Sequence, residues 1–139
     1  MKFCAHLYFL YLDLPFLDRF AAAAEDGFGG VECLDPYNNT KEEIWSALKA
    51  SGLKQVLFNM PAGNWNAGER GIACLPNRIE EFREGVGLAL DYAKSLECSQ
   101  LNVMCGSVPP GADLKLLEAT LVDNLRYASA NIAMAHSMS

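Results

Sequence analysis

The stretch Phe3-Cys4-Ala5-His6-Leu7-Tyr8-Phe9-Leu10-Tyr11-Leu12-Asp13 decides the fold class. Phe3 to Leu7 is an apolar run of strand length, and the turn that follows, Tyr8 to Asp13, contains no glycine. A dinucleotide-binding sheet needs glycines at that turn, because its backbone must come close to a pyrophosphate at the mouth of the first helix. A Rossmann domain is therefore disfavoured, and no G-x-x-x-x-G-K-[ST] phosphate loop occurs in the chain.

Outward from this stretch, short apolar runs alternate with longer helical patterns. Asp13 as cap and Pro15 in the first turn announce a helix ending at Gly27, with Leu17, Phe20, Ala21 and Ala24 as its apolar face. A second strand, Gly30 to Leu34, precedes the capping box Thr40-Lys41-Glu42-Glu43, which opens a helix closing at Gly52. The third strand, Gln55 to Asn59, leads into a long connection, Met60 to Leu75, rich in turn signals. A third helix begins at Pro76 or Asn77 and sets Ile79, Phe82, Val86, Ala89, Leu90 and Ala93 on one face at three- and four-residue steps. The fourth strand, Leu101 to Cys105, passes through Pro109-Pro110-Gly111 to a helix capped near Asp113. Its predicted face is Leu114, Leu117, Leu121, Leu125, Ala128 and Ile132, and the closing residues, His136 among them, read as a tail.

Strands alternating with helices predict an α/β fold with parallel strands. Four βα units joined by right-handed crossovers make either half of a (β/α)8 barrel or a small doubly wound sheet, and periodicity does not choose between them.

Composition bounds the rest. A chain of 139 residues is the size of one domain, and 51% hydrophobic with 20% charged residues places it among globular proteins. A net charge of -6, with eleven Lys and Arg scattered among seventeen acids, leaves no basic stripe to neutralise phosphates, so nucleic acid is excluded as a partner. The five cysteines form no CxxC pair and are odd in number, which suggests neither a disulfide framework nor a zinc site; reduced, buried thiols in a cytoplasmic protein are expected. His6 interrupts the N-terminal apolar run, Asp13 closes it and no A-x-A site follows, so it reads as a strand and not as a secretion signal. No run approaches the roughly 20 apolar residues of a membrane span, and no membrane is expected as a partner.

In parallel α/β folds chemistry collects where strands end and loops begin. That rule selects His6 and Tyr8, Glu32 and Asp35, Asn59 with the loop Asn64 to Arg70, and Asn102, Met104 and Ser107. His6 in an apolar run is either a hydrogen-bonded core histidine or a functional one, as its strand-end position favours. Glu32, amid Val31, Cys33 and Leu34, must face a polar mouth or be paired, since an unpaired buried charge is costly. In the loop, Arg70 could hold a carboxylate in bidentate fashion and Trp65 could cover a ligand. The alternative is a surface loop in which Arg70 pairs with Glu69 or another acid.

Four stretches carry a resemblance: FCAHLYFLYLDLPFLDRFAAAAEDGFGGVECLDPYN, the loop FNMPAGNWNAGERGIACLPNR, the strand LNVMCGSVPPGAD and the late VDNLRYA. From about Phe3 to Ala128 the chain resembles the hydroxypyruvate isomerases, which belong to the xylose-isomerase-like barrels. The resemblance implies half of a TIM barrel over residues 1–139, comprising strands and helices one to four. It also implies an aldose-ketose type isomerisation of a small hydroxy-keto acid, hydroxypyruvate to tartronate semialdehyde through an enediol, with a related 2-oxo-tetronate isomerase or a sugar epimerase as the alternative. In the family two glutamates exchange the proton, in some relatives beside a divalent metal. Those glutamates and metal-ligand positions fall on later strands, so the resemblance assigns this chain no catalytic or metal-ligating residue, no cofactor of its own and no activity alone. His6, Glu32, Asn59, Glu69, Arg70 and Asn102 are the expected substrate-binding residues. Unpaired sheet edges are expected to drive self-association into a homo-oligomer or pairing with a second half.

Overall fold

The computed structural model describes residues 1–137, with side chains through Met134. His136 lies outside the described side chains. The chain forms two compact units, Met1–Asn59 with Asp91–Asn102, and Met60–Leu90 with the residues from Val103 on.

The first unit is built on one sheet of four strands, β1 (Cys4–His6), β2 (Gly30–Cys33), β3 (Lys54–Asn59) and β4 (Leu101–Asn102). All neighbours are parallel and the order is the sequence order. A doubly wound sheet reverses its strand order at a switch point, and this one never does, which decides the choice that periodicity left open in favour of the barrel type. β1 and β4 form the two edges. A register shift between Val31 and Glu32 interrupts the β2–β3 ladder.

α1 (Asp18–Glu25) starts four residues later than a cap at Asp13 suggests, with Leu17 in the cap position and no side-chain cap. The Arg19 guanidinium accounts for the delay. It donates to the Leu14 carbonyl at 2.9 Å and the Leu7 carbonyl at 2.7 Å, binding the intervening chain into turns. The buried face is Phe20 and Ala23, whereas Ala21 is exposed. Phe20 packs edge-on against Phe16, which meets Tyr8 in the same way.

α2 (Lys41–Ser51) carries the expected capping box, in which the Thr40 side chain accepts from the Glu43 N–H while Glu43 accepts from the Thr40 N–H. Its buried residues, Ile44 and Leu48, join Ala5, Leu7, Phe20, Ala23, Val31 and Phe58 in the core of this unit.

β4 is two residues long, against the five from Leu101 to Cys105 expected from sequence. Only Phe58 and Asn59 at the end of β3 pair with it, and Pro61, which has no N–H, follows two residues later.

The second unit contains the loop from Met60, a 3-10 turn at Pro76–Arg78, the first twelve residues of α3 (Ile79–Ser95) and α4 (Leu114–Ser137). On α3, Phe82, Val86, Ala89 and Ala93 are buried as their spacing predicts. Asp113 caps α4 as expected, its carboxylate accepting from the Lys115 and Leu116 N–H groups at 2.9 and 3.3 Å.

The face of α4 differs from the expected leucine stripe. Leu117, Thr120, Asn124 and Ala128 are buried, while Leu114 and Leu125 are exposed. Asn124 is 1% exposed, and its side-chain amide donates to the Ala73 carbonyl at 2.9 Å. A buried amide needs such a partner, so this bond fixes the helix rotation with a polar residue inward.

Candidate functional site in two groups of residues

The strand ends of the first unit gather four of the six residues selected from sequence. His6 and Glu32 are register neighbours on β1 and β2, so their side chains leave the sheet together. The His6 Nδ1 accepts from the Tyr8 N–H at 3.2 Å, which assigns the ring proton to Nε2, and the ring packs on Phe9 at 4.2 Å between centroids. Glu32 is half-buried; among the described residues its carboxylate accepts no hydrogen bond and meets no cation within ion-pair distance. The physical alternatives were a polar mouth or a partner within the chain, and the structure shows no such partner.

Asn59 and Asn102 form the second pair. They are register neighbours on β3 and β4, and the Asn102 amide donates to the Asn59 side-chain oxygen at 2.9 Å. Asn59 is buried and Asn102 exposed, so one anchors the other at the surface. The Tyr37 hydroxyl donates to the Asn59 carbonyl at 2.7 Å, and its ring lies edge-on to Phe58 and to Tyr92. Burial raises the Tyr37 phenol well above its ordinary range, so at neutral pH it acts as a fixed donor.

Tyr8 is engaged in the same manner. Its hydroxyl donates to the Asp35 carbonyl, and burial, with the nearby Asp35 charge, pushes its pKa up to about 12. Tyr37 and Arg19 were not selected by sequence reasoning. The Asp35-Pro36-Tyr37 turn directly after β2 was the available signal for Tyr37, whereas nothing local marks Arg19, whose partners lie five and twelve residues away.

The second unit holds Glu69 and Arg70, and the structure sends them in different directions. Glu69 accepts from the Asn64 N–H and from Arg78, which also grips Glu81 through two bonds of 2.7 Å. Arg78, with help from the Asn64 N–H, holds the Glu69 carboxyl below the usual carboxylate range. Arg70 does not pair with Glu69. Its guanidinium stacks on the Trp65 ring, 3.6 Å from the centroid, and its Nη1 donates to the Trp65 and Glu69 carbonyls at 3.1 and 2.7 Å.

Backbone geometry shapes the same loop. Gly71 has φ +107°, and a Cβ placed on it would lie 2.1 Å from the Met104 carbonyl oxygen. That approach lets Gly71 bridge to Cys105, while the Cys74 N–H donates to the Cys105 carbonyl at 2.8 Å. At Gly63, φ +82°, a Cβ would meet the Glu69 carboxylate at 2.2 Å. Of the remaining candidates, Met104 forms this close contact and Ser107 is exposed.

Cys33, Cys74 and Cys98 are buried free thiols, as expected, whereas Cys4 and Cys105 are exposed. Among the described residues no group of three or more His, Cys, Asp or Glu could hold a metal ion, so no step is assigned to one. No described helix is long and apolar enough to cross a membrane.

An all-parallel, sequence-ordered sheet with polar side chains at its strand ends defines an α/β protein of the barrel class. Residues 20–138 match the family model of the xylose isomerase-like TIM barrel, and the chain belongs to that family. It is 49% identical to a 2-oxo-tetronate isomerase of Pectobacterium atrosepticum over 95% of this chain and 50% of the relative. It is 47% identical to the hydroxypyruvate isomerase of Escherichia coli over 96% of this chain and 52% of the relative. A solved structure titled AP endonuclease, family 2, from Brucella melitensis is 47% identical with a TM-score of 0.91, covering 96% of this chain and 52% of that one. The chain thus spans about half the length of the curated relatives it matches. A D-allulose 3-epimerase from Methylomonas sp., at 17% identity and TM-score 0.73, shares the fold.

Proposed function

We propose that this chain is the N-terminal half of a cytoplasmic isomerase acting on a small 2-oxo acid, of the hydroxypyruvate or 2-oxo-tetronate kind. The observation that carries this reading is the near-50% identity, sustained over 95–96% of the chain, to relatives that bear those names. The strand ends support it. A half-buried carboxylate with no partner among the described residues, a histidine beside it and a hydrogen-bonded asparagine pair offer a charge, a ring N–H and amides to a small polyoxygenated ligand.

In this reading His6, Glu32, Asn59 and Asn102 bind and orient the substrate, while the proton-transferring carboxylates, and any divalent metal, are supplied from outside these 139 residues. The test is hydroxypyruvate isomerisation by the 139-residue chain alone and mixed with the C-terminal half of the Escherichia coli relative, with and without divalent cation. Activity only in the mixture is the expected result. Activity of the chain alone would overturn the assignment of proton transfer elsewhere, and a mixture that assembles without turning over hydroxypyruvate or 2-oxo-tetronate would overturn the isomerase reading.

A second reading follows from the sheet edges. β1 and β4 each have one strand neighbour, and open parallel edges favour pairing with another copy. Sedimentation of the chain alone is expected to show a concentration-dependent dimer; a monomer at all concentrations would remove this reading.

A further inference from the structure

We infer that Arg70 is a preorganised carboxylate receptor and that the loop Asn64–Arg70 recognises the acid end of a 2-oxo acid. The inference rests on the substrate class proposed above, and it names the group of this loop that would take an acid of that class.

Charge is the first observation. The chain carries seventeen acids to eleven Lys and Arg, and among the described residues three of its five arginines pair with a carboxylate. Arg78 pairs with Glu69 and Glu81, Arg83 with Glu80, and Arg126 with Asp123. Arg19 is consumed by the Leu7 and Leu14 carbonyls. Arg70 has no carboxylate within ion-pair distance among the described residues, although Glu69 adjoins it. Arg78 takes the Glu69 carboxylate, and Arg70 receives only the Glu69 backbone carbonyl.

Geometry is the second. A guanidinium offers five N–H donors in a flat fork. Here one face is covered by Trp65 and both internal hydrogen bonds use Nη1. The Nε and Nη2 donors have no partner among the described residues, and the Nε–Nη2 edge matches a carboxylate in bidentate fashion. An exposed ion pair is ordinarily worth little, partly because two flexible side chains must be immobilised. The Trp65 stack and the two carbonyls have already immobilised this one, so less ordering remains when a ligand binds. The 3-10 turn at Trp65–Ala67, capped by the Asn64 side chain, and the Arg78–Glu69 link hold the backbone that presents both residues.

The experiment titrates the 139-residue chain with 3-hydroxypyruvate and with dihydroxyacetone, its neutral counterpart in which a CH2OH replaces the carboxylate. The Arg70 Nε–H resonance is followed by NMR, and dissociation constants are measured for wild type, Arg70→Lys, Arg70→Ala and Arg126→Ala. Arg70→Lys keeps the charge and stem but lacks the fork. The expected result is movement of the Arg70 Nε–H with hydroxypyruvate alone. A roughly tenfold weaker hydroxypyruvate affinity is expected in both Arg70 variants, as for loss of a charged hydrogen bond, with dihydroxyacetone and Arg126→Ala unaffected. Hydroxypyruvate binding that leaves the Arg70 resonance still and is unchanged in Arg70→Lys would overturn the inference. Absence of binding to the wild-type chain would overturn it as well. The mixed-halves isomerisation assay judges the isomerase reading independently of either result.

Discussion

The two units reach order by different means. In the first, a parallel ladder between consecutive strands is backed by apolar side chains at helical and strand periods, with Phe20, Ile44, Leu48, Val31 and Phe58 at its centre. In the second, Ile72, Phe82, Val86 and Ala89 are buried as well, and the long connecting segments are further held by single polar clamps and by glycines at close approaches: Asn124 on Ala73, Arg78 on Glu69, Gly71 against Met104. Hydrophobic burial is non-directional and spread over many atoms. Clamps are directional and few, so they place individual groups such as Arg70 at the cost of being breakable one at a time.

That contrast is open to attack at three points. The largest effect is expected from Phe20→Ala, which removes a ring that is 1% exposed and packed edge-on to Phe16. A loss of about 4 kcal/mol is typical of such a cavity, and it should appear in the hydrogen exchange of the Ala5, Val31 and Phe58 amides. A loss under about 1 kcal/mol there would mean that the ladder and not the apolar core carries this unit.

Next comes Gly71→Ala. The added Cβ would overlap a backbone carbonyl that no side-chain rotation can move, in a φ region that alanine avoids. About 3 kcal/mol is expected, read as faster exchange of the Cys74 N–H, which donates to Cys105. If Cys74 protection survives, the clamps are not individually breakable and the contrast fails.

The smallest effect is a pH dependence. Arg78 holds Glu69, and also Glu81, below the usual carboxylate range. A carboxyl with a depressed folded pKa stabilises the folded state above its unfolded value, near 4.3 for glutamate, and loses that contribution as pH falls through the lower folded value. The Arg78–Glu69 link should therefore persist at pH 5 and open only below about pH 4. Trp65 fluorescence in a Trp45→Phe background is expected to change in that window and to lose the transition in Glu69→Gln. A transition centred near pH 6 would implicate another group.

Much of both units was legible in the sequence where the causes are local. The Thr40–Glu43 capping box, the strands from Gly30 and through Asn59, the face of α3 and the cap at Asp113 each follow from residues within a turn or two of one another. Where the sequence misled, a distant partner had intervened. Asp13 has the chemistry of a cap, yet Arg19 ties residues 7 and 14 and delays α1 to Asp18. The leucine stripe of α4 has the right period, yet the Asn124–Ala73 bond, spanning 51 positions, turns another face inward.

The candidate residues divide in the same way. Placing His6, Glu32, Asn59 and Asn102 at strand ends required only the strand assignments and the rule that parallel sheets do their chemistry there. Which of them share a bond could not be read from sequence, because the Asn59–Asn102 pair depends on β3–β4 register.

The sequence by itself determined the alternation of strands and helices, the absence of phosphate-binding glycines and the family, since periodicity, capping and motif are written in neighbouring residues. Only the tertiary structure decided the strand order, the length of β4, the rotation of α4 and which arginine takes Glu69. Each of those is a competition between partners far apart in the chain, settled by where the folded backbone brings them and by the need of every buried polar group for a hydrogen bond.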